Sequence, residues 1–140
     1  MSHAYCSCLI HCVFSTHNRE SVLTEDVRER LWPYIGGIAR ENKMSALAVG
    51  GVEDHVHALL SIPATLSVSK SVQLIKGGSS KWLNSELRLP RRFEWQEGYG
   101  AFSVSVSAVP ATVKYINGQV EHHRRKTFKE EFELFLKNTT

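Results

Sequence analysis

The sequence predicts an α+β domain in which an antiparallel sheet is backed by helices on one face. Three observations predict it: short stretches of alternating apolar residues, longer stretches with helical spacing, and the order in which the two follow one another. Residues 4 to 15 alternate, with Cys6, Cys8, Ile10, Cys12 and Phe14 on one side, which predicts a first strand. Thr24 is placed to cap a helix whose stripe is Val27, Leu31, Tyr34 and Ile38; Pro33 within that stripe predicts a kink or a break. Residues 45 to 50 and 55 to 62 read as two strands joined by a turn containing Gly50 and Gly51. A second helix is expected from Ser67 to Leu87, with the stripe Val68, Val72, Ile75 and Trp82 weakened by Gly77 and Gly78.

A basic turn (Arg88, Pro90, Arg91, Arg92) precedes Phe93 to Ser105, which reads as one or two short strands broken near Gly98 and Gly100. Ser107 and Pro110 open a third helix. Thr127 and Glu130 have capping-box spacing for a last short helix carrying Phe128, Phe132 and Phe135, an apolar face suited to an interface. Strand, helix, strand, strand, helix, strand, then helices is the order of a ferredoxin-like antiparallel sheet followed by C-terminal helices. No repeat, low-complexity tract or linker interrupts it, so residues 1–140 are read as a single domain.

Composition narrows the function. The 140 residues carry a formal net charge of +3, a mild lean toward polyanions. Lys114, Arg124, Arg125, Lys126 and Lys129 crowd one late segment, ahead of the acidic Glu130, Glu131 and Glu133. No apolar run approaches the roughly 20 residues that span a bilayer, and the N-terminus lacks a signal-peptide core, so a cytoplasmic protein without a membrane partner is expected. Cys6, Cys8 and Cys12 are an odd, clustered set without a second distant ligand pair, and are expected as core thiols rather than a disulfide framework or a zinc site with His3 or His11.

Asp54-His55-Val56-His57-Ala58-Leu59-Leu60 is the most informative stretch. In a strand, side chains two apart share a face, so His55 and His57 project together while Val56, Ala58 and Leu60 point into apolar packing. Two neutral imidazoles side by side make half of a divalent-metal site; the alternative is a half-exposed strand whose polar positions happen to be histidine. The third helix adds a second clue. Its stripe is Val109, Val113, Ile116 and Val120, and Tyr115 lies off it, on a polar face with Gln119, His122 and Lys126. Either that face is solvated and Tyr115 an ordinary surface residue, or Gln119 offers an oxygen donor to the same ion and Tyr115 is placed to attack a phosphodiester.

With these residues in place the sequence resembles the single-tyrosine HUH transposases of the insertion sequence 200/605 group, which include the REP-associated tyrosine transposases. HUH denotes two histidines flanking an apolar residue, here His55-Val56-His57. The matching stretches are Ile10 to Thr16, Asp54 to His57, Lys76 to Trp82, Trp95 with Gly98 to Val104, and Tyr115 to Gln119 with His122-His123. They occur in the family's order and cover nearly the whole chain. The resemblance implies a ferredoxin-like fold, a homodimer, and magnesium or manganese held by His55, His57 and Gln119, with Tyr115 as nucleophile. In the family the tyrosine helix can complete the partner subunit's site. The implied substrate is single-stranded DNA with short hairpins.

Strand transfer through a 5′-phosphotyrosine conserves the phosphodiester bond energy, so no nucleotide cofactor is expected. Arg91, Arg92, Arg124, Arg125 and Lys126, with Arg88, are candidates for phosphate contacts, and Lys76 and Lys81 match the family's basic helix. Trp82 and Trp95 are candidates for base stacking, Trp82 being better placed for the core. Three rival readings stand beside this one: a non-catalytic module binding single-stranded DNA or hairpins, an HUH replication-initiator or relaxase-type nuclease, and a metal-dependent hydrolase acting through water.

Overall fold

Alternation decides the sheet. In strand β1 (Leu9–Ser15), Ile10, Cys12 and Phe14 enter the main core, and the pleat turns His11 and Val13 to the opposite face. The structure, a computed structural model, describes residues 7–88 and 91–122 together with Glu130, Glu133 and Leu136. After β1 come helix α1 (Glu25–Glu41), strands β2 (Ser45–Val52) and β3 (His55–Ser61), helix α2 (Val68–Glu86), strand β4 (Gly100–Ser103) and helices α3 (Val109–Asn117) and α4 (Gln119–His122). The sheet order is β2-β3-β1-β4 with every neighbouring pair antiparallel. This is the ferredoxin-like order expected from the sequence, two βαβ units that each place a strand of the other between their own. The expected last helix with Phe128, Phe132 and Phe135 lies outside the described residues, as does Cys6.

Helices α1 and α2 cover one face. Thr24 caps α1, its hydroxyl accepting from the Val27 amide at 3.4 Å, and Ser67 caps α2 by accepting from Lys70 at 3.0 Å. Of the kink or break expected at Pro33, no break occurs: α1 runs from Glu25 to Glu41 through the proline, with buried Leu31, Ile35 and Ile38 on both sides of it. Ile35 takes the core place expected of Tyr34, which stands outside and stacks on Trp82 with ring centroids 5.1 Å apart. Gly78 lets the two helices meet, since a Cβ there would lie 2.8 Å from Ile38 Cδ1. Cys12 is fully buried and burial pushes its thiol up to about 12, as a core thiol requires. No described helix is long and apolar enough to cross a membrane.

The β2–β3 turn is Glu53–Asp54, and Gly50 and Gly51 belong to β2 itself. Their reason is proximity rather than turning. A Cβ on Gly50 would stand 2.3 Å from the Ile116 carbonyl oxygen, and one on Gly51, at φ 152°, would stand 2.2 Å from that of His55. The backbone of α3 therefore rests directly on β2, on the face opposite α1 and α2. There Ala48, Leu59 and Ile116 form a second, smaller core with Val104, Val109, Val113 and Tyr115 packed against it.

Gly50→Ala is expected to push α3 off β2 and cost about 1–3 kcal/mol as an overpacked contact, read by denaturant unfolding. Gly77→Ala, where a Cβ meets nothing within 4 Å, should instead stabilise by up to about 1 kcal/mol through helix propensity.

Candidate active site

Strand β3 turns Val56, Ala58 and Leu60 into the main core and His55, His57 and Leu59 to the α3 face. Register sets a third histidine beside them: His57 faces Val13 and Leu59 faces His11 across the β1–β3 ladder, so His11 and His57 are diagonal neighbours. All three imidazoles are buried, none more than 1 % exposed. His11 Nε2 and His57 Nδ1 are hydrogen-bonded at 2.9 Å, and His55 Nδ1 meets Asp54 Oδ1 at 2.8 Å.

Helix α3 lowers Tyr115 onto this face. Its ring meets His57 edge-on with centroids 5.7 Å apart and His11 with centroids 6.1 Å apart. The sequence placed Tyr115 away from the buried stripe; the structure half-buries it against the small core of Ala48, Leu59 and Ile116. The stripe residues Val109, Val113 and Ile116 pack on the sheet as expected, and Tyr115 packs beside them over the histidines. The expected stripe fails at its end: α3 stops at Asn117, with Gly118 as its C-cap donating to the Lys114 carbonyl at 3.0 Å, and Val120 is exposed.

After that stop, α4 begins with Gln119, which is buried. Its Nε2 donates to the Tyr115 carbonyl at 3.2 Å and its Oε1 has no hydrogen-bond partner. With Gly50, Gly51 and Ile116 it lines a cavity of about 410 Å³ beside β2. A buried amide oxygen without a partner is costly unless something accepts its lone pairs. Among the described residues no three of His, Cys, Asp or Glu are grouped to hold a metal. Neither His55 nor His57 is among the described residues that line the cavity Gln119 borders. Imidazole nitrogens with an amide oxygen suit a divalent ion of the manganese or magnesium sort.

Histidine 11 and Asp54 were not singled out by the sequence as site residues. The signal for His11 was present: it is the polar residue of β1 on the face opposite the Cys12 stripe, and only the cover supplied by α3 makes that face an interior one.

The basic candidates are spread out. Lys76 Nζ donates to the Gln96 and Gly98 carbonyls at 2.8 Å each and lies over the Phe14 ring. Burial lowers its pKa, opposed by nearby Glu97. Its ammonium thus tethers the loop after Trp95. Lys81 is exposed on α2, Arg91 is paired with Glu20, and exposed Arg92 borders cavities of about 760 and 560 Å³. Arg124, Arg125 and Lys126 lie outside the described residues. Trp95 is core, its indole donating to Ser79 Oγ at 3.1 Å between the Phe14 and Phe93 rings. Half-buried Trp82 carries the Arg30 guanidinium 5.5 Å from its ring centroid.

The fold and this face define a small ferredoxin-like α+β protein with buried histidines under a tyrosine-bearing helix. A structure assigned as a transposase from Deinococcus radiodurans R1 superposes with a TM-score of 0.67 at 24% identity, over 83% of this chain and 94% of that one. A REP-associated tyrosine transposase bound to a REP hairpin gives a TM-score of 0.59 at 18% identity, over 83% and 68%. Residues 4–119 match the family of IS200-like transposases, and the chain belongs to that family. Among its relatives, the transposase for insertion sequence element IS200 of Salmonella typhimurium is 25% identical over 129 residues, 89% of this chain and 84% of that protein. The ISDra2 transposase TnpA of Deinococcus radiodurans is 26% identical over 116 residues, 78% and 81%.

Replacing Lys76 with Met is expected to lower stability by about 1–2 kcal/mol, the worth of charge-assisted bonds at a partly exposed site, and to speed amide exchange at Glu97 and Gly98. Unfolding and hydrogen-exchange measurements read both.

Proposed function

We propose that this transposase cuts and rejoins single-stranded DNA at hairpin-bearing ends through a 5′-phosphotyrosine on Tyr115. The observation that carries the reading is the edge-on packing of Tyr115 on His57, 5.7 Å between ring centroids, over buried histidines. The REP hairpin in the structural neighbour supports the substrate class. In the reaction the Tyr115 oxygen attacks phosphorus, a tyrosyl O–P bond forms, and the bond from phosphorus to the 3′ oxygen breaks. The phenol's proton is lost and the departing 3′ oxygen gains one, so the step is balanced. A 3′-hydroxyl then reverses it and restores the phenol. No nucleotide cofactor enters because the phosphotyrosine retains the phosphodiester's energy.

A phenol titrates near pH 10, so at neutral pH the step needs help. His55, His57 and Gln119 are the residues that would hold magnesium or manganese. When bound, such an ion supplies Lewis-acid polarisation of a phosphoryl oxygen and stabilises a phenolate. The His55 and His57 rings and the Gln119 amide bring donors without a net negative charge, leaving the site open to a phosphate. Lys76, Lys81, Arg91, Arg92, Arg124, Arg125 and Lys126 are proposed along the DNA path, with Lys76 acting through the loop it tethers. Rejoining requires two strand ends held together, which a homodimer provides. Within one chain Tyr115 lies over its own histidines, and each site is proposed to work in cis.

Labelled single-stranded DNA with a hairpin from the gene's own flanks, incubated with manganese, should yield a covalent protein–DNA adduct on a denaturing gel. The adduct should vanish in Tyr115→Phe and on chelation, and fall at least about 10-fold in His57→Ala. Cleavage with a free 5′-phosphate and no adduct would replace the tyrosine with water as nucleophile.

Mixing Tyr115→Phe with His57→Ala protein tests the cis arrangement. No adduct should return; recovery of activity would mean that the tyrosine serves the partner subunit's site.

A further inference from the structure

We propose that Asp54 and His11 are positioning residues that lock the tautomers of the histidine pair. Asp54 takes the Nδ1 proton of His55 and His11 takes that of His57, so Nε2 carries the lone pair in both rings. The proposal rests on reading His55 and His57 as metal ligands, and fixes what that reading leaves open: which nitrogen of each ring donates, and what holds it so.

The chemistry follows from the contacts. A neutral imidazole has one N–H and one lone pair, and the partner of one nitrogen decides which the other presents. The Asp54 carboxylate, 2.8 Å from His55 Nδ1, leaves that nitrogen only the donor role. At the 2.9 Å contact between His11 Nε2 and His57 Nδ1, one ring donates and the other accepts. Were His57 Nδ1 the acceptor, its proton would sit on Nε2 and the neutral ring would have no lone pair left for an ion. His57 Nδ1 is therefore the donor and His11 Nε2 the acceptor. Ligating histidines characteristically direct their second nitrogen to such a partner.

Both partners are mounted rigidly. β1 is bonded on both sides, with His11 opposite Leu59 of β3 and Phe102 of β4. Asp54 sits in the β2–β3 turn, where its carbonyl accepts from the Thr16 amide at 2.9 Å and from the Thr16 hydroxyl at 3.2 Å. Thr16 is itself buried. The turn is thereby fastened to the end of the strand that carries His11.

The test is 15N–1H correlation of the imidazoles in the full-length, metal-free protein at about pH 8, above the ordinary imidazole range. His55 and His57 should both show the Nδ1-protonated pattern. His11→Leu should move His57 alone to the Nε2-protonated form, and His11→Gln, whose amide oxygen can take the place of the acceptor nitrogen, should restore it. Asp54→Ala should move His55 alone. The unmoved histidine in each variant reports that the fold is intact. An Nε2-protonated His57 in the unsubstituted protein overturns the proposal, as does a His57 tautomer indifferent to His11→Leu or not rescued by glutamine. Manganese affinity, followed by electron paramagnetic resonance, should fall about 10–100-fold in His11→Leu and Asp54→Ala and recover in His11→Gln. If the unsubstituted protein shows both expected tautomers yet binds no manganese, the ligand reading fails and the tautomer assignment stands.

Discussion

Everything at the site depends on one strand being buried on both faces. From His55 to Leu60 no residue of β3 is accessible, yet its two faces differ in kind: Val56, Ala58 and Leu60 fill an apolar core while His55 and His57 share theirs with Leu59. A slip of one residue would exchange the faces, burying imidazoles among leucine and isoleucine and turning the aliphatic set to the α3 face, where His11 and Tyr115 lie. Register is thus held by a large transfer energy, and the same energy places the histidines. Burial also forbids them to be idle, since a polar ring removed from water needs partners. Asp54 and His11 supply those partners from the adjoining turn and the adjoining strand.

The cover over those histidines is short and close. Gly50 removes the one Cβ that would hold α3 away, and Gly118 ends the helix after Tyr115 has reached the sheet. Had α3 run on as a regular helix, Gln119 would have stayed in line above Tyr115 along the helix axis. The break starts α4 with Gln119 buried beside β2 instead. Two glycines, one at a contact that admits no Cβ and one at the end of α3, therefore arrange the tyrosine and the glutamine relative to the strand.

Periodicity made the elements legible, because the face-forming residues of β1, β3, α1 and α2 meet the same core that their spacing implies. It failed where a neighbour from far along the chain decides the outcome. Gly50 and Gly51 looked like a turn because glycine pairs usually are one; the arrival of Ile116 explains Gly50 inside β2, and the His55 carbonyl explains Gly51. Ile35 displaced Tyr34 from the core because a phenol adjacent to Trp82 finds a stacking partner outside. Tyr115 and Gln119 were noticed through their departure from the apolar stripe, whereas His11 was passed over because the alternation in β1 does not say what covers its other face. Its burial is a property of α3, and local pattern does not contain it. Lys76 shows the same limit from the other side, a cation whose sequence context suggests DNA and whose contacts are two loop carbonyls.

The two halves of the site are anchored unequally. Among the described residues, the histidines stand on central strands that border the large core, and Tyr115 on a nine-residue helix held to the sheet by the small core of Ala48, Leu59 and Ile116. Local opening free energy follows the apolar contact that must be broken, so the helix separates from the sheet at far lower cost than the strands separate from each other. For a reaction in which the nucleophile becomes bonded to DNA this inequality has a direction. In the proposed reaction the groups that would orient a phosphate stay fixed, and the group that would carry the severed strand is the one attached least firmly. Gly50 permits that attachment without adding to it, since a glycine contributes proximity and no side-chain contact of its own.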